Sequence, residues 1–226
     1  MALPLYLAMT GSEILENGLI PKEFGILSRI DGLEKLPTWC PAGGMLVITD
    51  EAPLREGDAK KLERAISDGQ FESVLLDFQR PGQPDTQAFA RAVAGWKGCP
   101  VCVSECYAAE LDCPVLLSPV PSDVPVEEYL RPWQGREVWL EAALDGMVIT
   151  VTGQGAQSKR VLRGKPGERE HFDELLCCHY SMKIGDSVVF TLRRTEEDLR
   201  NLLNQAEKLG VTRAVGLYQE LGKFMR

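Results

Sequence analysis

The chain has 226 residues, 44% of them hydrophobic, which is enough for a full core within one domain. Its formal net charge is −8 and its pI is near 5.0, and no block of basic residues stands out, so nucleic acid is not expected as a partner. The acidity favours solubility.

The N-terminal stretch Met-Ala-Leu-Pro-Leu-Tyr-Leu-Ala-Met lacks a basic leader and reads as a first strand over Leu5–Met9. No segment approaches the ~20 apolar residues of a membrane span. A cytoplasmic location without a membrane partner is therefore expected. Further apolar runs follow at Met45–Thr49, Val74–Asp77, Val101–Ser104, Val115–Ser118, Val138–Ala142, Leu175–His179, Val188–Leu192 and Ala214–Tyr218, with Gly25–Ile30 as a further candidate. Several are continuous rather than alternating, as suits strands covered on both faces.

Helical patterns lie between some of these runs. Asp58–Ser67 carries Leu62, Ala65 and Ile66. Asp85–Trp96 has Asp85 as its expected N-cap, and Thr195–Leu209 opens on a capping box and stops at Gly210. Strands alternating with helices predict a parallel sheet. Eight or nine strands over this length predict a (β/α)8 TIM-type barrel, α/β in class, with some helices shortened or missing. An open doubly wound sheet is the competing architecture, but no glycine-rich phosphate loop follows any early strand.

Residues 137–167 break the pattern and are expected to leave the barrel. Val138–Leu144, Asp145-Gly146 and Met147–Thr152 read as a β-hairpin on an Asp-Gly turn, and a polar, glycine-rich stretch follows to Gly167. The whole chain, 1–226, is read as one barrel domain carrying this excursion.

Seven cysteines without a leader point to free thiols in a reducing compartment. Cys99 and Cys102 lie three apart where a strand begins, on opposite faces, and no second Cys-x-x-Cys pair closes a tetrahedral site. No metal and no cofactor are expected.

The most informative segment is Glu72-Ser-Val-Leu-Leu-Asp77-Phe-Gln79-Arg-Pro81. Asp77 and Gln79 project from one side of a strand and a Pro-Gly turn follows, so the pair sits at the strand's C-terminal end. In a β/α barrel that end carries the chemistry. The segment resembles the active-site strand of the family 18 glycoside hydrolases, the chitinases and their relatives, whose pattern is Asp-x-x-Asp-x-Asp-x-Glu, often continued by Tyr-Pro. Glu72 falls at the first acid, Leu75 at the second, Asp77 at the third, Gln79 at the catalytic glutamate and Pro81 at the proline. A second segment, Val215-Gly-Leu-Tyr218-Gln219-Glu220-Leu-Gly222, resembles the family's last strand, with Gln219 where the family has the tryptophan that floors the sugar site. Cys178-His179-Tyr180 matches the family's Tyr-Asp-Tyr strand in one tyrosine.

The resemblance implies a sugar-binding mouth whose usual acid is an amide. A Gln amide cannot hand a proton to a leaving oxygen, although it can hydrogen-bond a hydroxyl. Candidate catalytic residues are Asp77, Gln79, Glu105 and Glu141. The last two are substitutes for the missing acid, because burial within apolar strands raises a carboxyl pKa. Candidate substrate-binding residues are Thr10, Tyr107, His179, Tyr180, Tyr218 and Glu220. The expected partner is a carbohydrate or small polar ligand. An active glycosidase using Glu105 or Glu141, and a non-catalytic interaction protein, stand as alternatives.

Overall fold

The computed structural model describes residues 3–17, 20–35, 43–55, 57–69, 71–162 and 164–222. Eight parallel strands close into a barrel: β1 (Leu5–Met9), β2 (Phe24–Arg29), β3 (Met45–Thr49), β4 (Ser73–Asp77), β5 (Val101–Ser104), β6 (Val115–Leu117), β7 (Val138–Ala142) and a last strand, Val211–Leu217. The candidate Gly25–Ile30 therefore marks a real strand, Phe24–Arg29, and it makes β4 the fourth of the barrel.

Alternation along each strand sorts the side chains. Tyr6, Ala8, Met45, Val47, Leu75, Cys102, Leu116, Trp139 and Val215 form the core inside the barrel. The residues between them, such as Leu7, Leu46, Val74 and Leu140, pack outward with helix residues such as Leu62 and Phe89. A bare strand pair would leave one of these sets in water, so the continuous apolar runs require a layer outside. The N-terminal end of the interior is plugged by Arg213. Its guanidinium stacks 4.6 Å from the Trp139 ring centre and 5.4 Å from that of Tyr6, and donates to Ser73 Oγ at 2.9 Å.

The helices are indeed reduced. Among the described residues they are α1 (Gly11–Asn17), α2 (Asp58–Gly69), α3 (Pro84–Ala94), α4 (Val126–Leu130), α5 (Glu196–Lys208) and α6 (Tyr218–Leu221), and short 3-10 turns follow β2 and β5. The Thr195 capping box of α5 is present, closed by Asp198. In α3 the N-cap is Gln83, not Asp85, which sits in the first turn. Pro84 at the first helical position presets the backbone and starts the helix earlier.

The excursion differs most from expectation. Between β7 and α5 the chain builds a five-stranded antiparallel sheet from β8 (Asp145–Thr152), β9 (Gly155–Leu162), β10 (His171–Asp173), β11 (Cys178–Ile184) and β12 (Val188–Arg193), in the order β10-β11-β12-β8-β9. The last barrel strand is thus β13. Leu175–His179 is not a barrel strand, since a turn runs up to Cys177, and Val188–Leu192 belongs to the second sheet. A hairpin is present, but it turns at Gly153-Gln154. Asp145-Gly146 begins a strand instead. A Cβ on Gly146 would lie 2.4 Å from the Leu192 carbonyl oxygen, so glycine there permits close backbone approach. The sheet has two unlike faces. One pairs Arg160 with Met147 and Met147 with Leu192, then continues in apolar rows. The other carries Lys159, Lys183, Thr150 and Thr191.

Cys99, Cys102, Cys106, Cys113, Cys177 and Cys178 are free thiols, and Cys40 lies outside the described residues. Among the described residues no group of three or more His, Cys, Asp or Glu side chains is arranged to hold a metal, and no helix is long and apolar enough to cross a membrane.

Candidate functional site

The parallel barrel brings the ends of its strands to one mouth. Asp77 ends β4 with its side chain on the inward side, in the series Ser73, Leu75, Asp77. Gln79 follows, exposed, and its Nε2 donates to Asp77 Oδ1 at 2.5 Å. The loop that carries the pair is tightly held. Asp50, buried just past β3, accepts the backbone N–H groups of Gln79 and Arg80 at 3.0 and 2.9 Å. Ser104 Oγ accepts from Phe78 N–H at 3.0 Å and donates to the Leu76 carbonyl at 3.1 Å. The Tyr107 hydroxyl donates to the Arg80 carbonyl.

Beside this pair lies a cavity of 240 Å³ whose polar lining is Gln79, Ser104, Glu105, Cys106, Ser118 and Glu141. Glu141 lies in β7 on the inward side, with Trp139. Burial pushes its carboxyl up to about 7; the Asp77 charge adds to this and the Arg160 guanidinium opposes it. Burial also raises Asp77, against the hydrogen bond from Gln79. Glu105 accepts from Ser118 Oγ at 2.6 Å. Tyr129 donates its hydroxyl to the Ser118 carbonyl at 2.9 Å, and burial, reinforced by Glu105 and Glu141, keeps its phenol protonated well past the usual range. Arg160 reaches in from β9. Its Nε lies 2.6 Å from Oδ2 of buried Asp145.

The four expected catalytic candidates, Asp77, Gln79, Glu105 and Glu141, therefore share one end of the barrel. Glu220 is at the same end, where its Oε1 accepts the Leu144 N–H at 2.5 Å and its charge acts on Glu141. The expected substrate-binding residues fare differently. Thr10 donates to Glu13 Oε2 at 2.9 Å and caps α1. Tyr107 is buried against Phe78 and holds the β4 loop, and Tyr218 packs on the core outside the barrel. His179 and Tyr180 are on β11, not on a barrel strand. His179 Nδ1 lies 2.8 Å from Asp198 Oδ2. Tyr180 faces the other side of that sheet, in the same row as Leu192, Met147 and Arg160. Tyr129 and Arg160 went unnoticed in the sequence. Arg160 had one available signal, its alternation with Ser158 along β9.

Glu141 has a consequence for stability. Its folded pKa stands above its ordinary 4.5, so the folded chain holds this proton more tightly than the unfolded chain. That contribution is fully present below the ordinary value and is lost as pH rises through about 7. It amounts to at most about 3 kcal/mol. Denaturant midpoints should therefore fall between about pH 5 and pH 8 in the wild type and fall less in Glu141→Gln. Parallel pH profiles for the two proteins would contradict this.

No family model matches the sequence, and no curated protein matches it significantly. Solved structures do match in fold. A family 18 chitinase from Cycas revoluta, in complex with (GlcNAc)4, superposes with a TM-score of 0.56 at 12% identity, covering 99% of this chain and 97% of that one. A chitinase-like agglutinin from Robinia pseudoacacia gives 0.55 at 12% identity over 97% and 98% of the two chains. The spore cortex-lytic enzyme SleL of Bacillus cereus gives 0.56 at 11% identity, over 95% of this chain and 70% of that one. The chain is a divergent (β/α)8 barrel with the fold of the family 18 chitinases and chitinase-like proteins.

Proposed function

We propose that the barrel mouth binds a carbohydrate, with oligomers of N-acetylglucosamine as the first class to test, and that Gln79 leaves the site without its usual acid. The observation that carries this reading is the Asp77–Gln79 pair, fixed at the end of β4 beside a 240 Å³ cavity. Carboxylates and an amide suit sugar hydroxyls, each of which donates one hydrogen bond and can accept two. Chitinases of the same fold are known in complexes with N-acetylglucosamine tetramers. Gln79 spends one amide proton on Asp77 and keeps its carbonyl oxygen as an acceptor.

A second reading has its own support. A carboxyl with a pKa of about 7 is protonated in half the molecules near neutrality, which suits a general acid, and Glu141 has such a carboxyl. In that reading Glu141 protonates the leaving oxygen. The free cysteines favour a reducing, cytoplasmic setting, and the chain is read as one barrel domain with its inserted sheet.

Calorimetric titration of wild-type protein with N-acetylglucosamine oligomers, followed by product analysis, tests both readings. Saturable binding without cleavage is expected. Cleavage that Glu141→Gln abolishes in a folded protein selects the second reading. Failure of every oligomer to bind removes both.

A further inference from the structure

The inserted sheet presents an apolar face that begins at the mouth and runs away from it. Its first row contains Arg160, whose Nε lies 2.6 Å from Asp145, three residues past the mouth end of β7, and beside it Met147 and Leu192, which are buried, and Tyr180. That row is therefore the end at the mouth. The next row outward is Ser158, Ile149, Phe190 and Met182, and the one after is Ala156, Val151, Val188 and Ile184. Exposure grows along this path, to 51% at Met182 and 75% at Ile184. The opposite face of the same strands carries the lysines and threonines, so the sheet has been sorted, and its apolar side grows open away from the barrel. Contiguous exposed apolar surface of this kind marks a binding site.

Charge and chemistry narrow the occupant. The two outer rows hold no charged side chain, while the mouth holds Asp77, Glu105 and Glu141. Apart from the Ser158 hydroxyl at one edge, the aliphatic, thioether and phenyl side chains of these rows offer no hydrogen bond to the hydroxyls of a further sugar, which would lose their bonds to water there. They suit methylene groups. From Met147 to Val151 the face extends about 13 Å at the usual strand rise.

We propose that the ligand is amphiphilic: a glycan whose sugar end occupies the mouth and whose alkyl or acyl tail lies along Ile149, Met182, Phe190 and Ile184. This rests on the reading of the mouth as a sugar site and adds the chemistry of the aglycone. Arg160 and the polar mouth take the head, and the outer rows take the tail.

The test compares methyl and octyl glycosides of the N-acetylglucosamine dimer by calorimetry on the full chain, with the octyl compound below its micelle concentration. The octyl glycoside should bind at least about tenfold tighter, because burial of two methylenes already accounts for that ratio. Met182→Ser combined with Ile184→Ser should return the octyl affinity to the methyl value and leave methyl binding unchanged. Equal affinities in the wild type, or an unaltered octyl affinity in the variant, overturn the proposal. Self-association in sedimentation that the same double substitution abolishes also overturns it, since a second copy then covers the face. If N-acetylglucosamine oligomers bind and the octyl chain adds nothing, the tail assignment alone fails. If no sugar binds at all, the mouth reading has failed and the tail assignment falls with it.

Discussion

Gln79→Glu should create or raise hydrolysis of N-acetylglucosamine oligomers. A positioned general acid is typically worth about 10²–10⁴-fold, and the gain should sit at the low end of that range. The reason lies in the rest of the strand. Leu75, at the family's second acidic position, is 1% exposed and packs inside the barrel with Met45 and Cys102. An acid there would be buried without a partner, so that part of the site has become core. Gln219, at the position of the family's floor tryptophan, is exposed in α6. The new carboxyl at position 79 would also stand beside Asp77, and the two like charges would raise each other's pKa, which favours the protonated form that an acid requires. Initial rates of wild type, Gln79→Glu and Glu141→Gln on one panel of oligomers measure this. If the wild type cleaves and Gln79→Glu cleaves no better, position 79 is not where the acid belongs.

Arg194→Met should destabilise the protein by about 3–5 kcal/mol. Arg194 is buried where the inserted sheet meets the barrel. It donates to the carbonyls of Val120, Pro121 and Leu176, and its Nη1 lies 3.7 Å from Oδ1 of Asp145, which is 2% exposed. Removing the guanidinium leaves Asp145 with half-exposed Arg160 as its remaining cation and strands three carbonyls. In a chain of this length the loss corresponds to a fall in Tm of roughly 6–20 °C. Thermal melts of Arg194→Met, Asp145→Asn and the double variant provide the check. The double variant should be less destabilised than the sum of the two, because the buried charge left by the first substitution is neutralised by the second. Strict additivity would mean that the pair is not coupled.

The barrel was legible because its strands are covered on both sides and therefore read as unbroken apolar runs. Phe24–Arg29 was faint because it ends in Ser28 and Arg29, where the strand reaches the mouth. The inserted sheet was harder. Its strands alternate, but its apolar side stays open, so the usual contrast between buried and solvated positions tells little about where the strand belongs. Asp145-Gly146 carries the sequence signature of a turn and serves instead as a buried ion pair and a close approach of two backbones. Glu141 was found because a charge in the middle of Val-Trp-Leu-Glu-Ala is conspicuous in any fold. Tyr129 and Arg160 were not, since their place at the mouth depends on where α4 and β9 are carried, and no local pattern encodes that. Thr10 and Tyr107 were correctly placed near strand ends, but nearby hydrogen-bonding groups claim their hydroxyls.

The barrel is closed by its last strand. β13 pairs with β1 through Leu5 and Ala214 and with β7 through Glu141 and Val215, so both of its ladders join segments that are distant in the chain. The inserted sheet is built mainly from neighbours, β8 with β9 and β11 with β12, and one ladder of intermediate range, β12 with β8, joins the two hairpins. Local hairpins form in microseconds, while ladders between chain ends wait on costly loop closure. During synthesis the inserted sheet should therefore assemble first, while β1 and β7 stand as open parallel edges until β13 arrives. Those two edges are the segments most exposed to misassembly, and chains that stop short of Val211 should accumulate as aggregates rather than as shortened barrels.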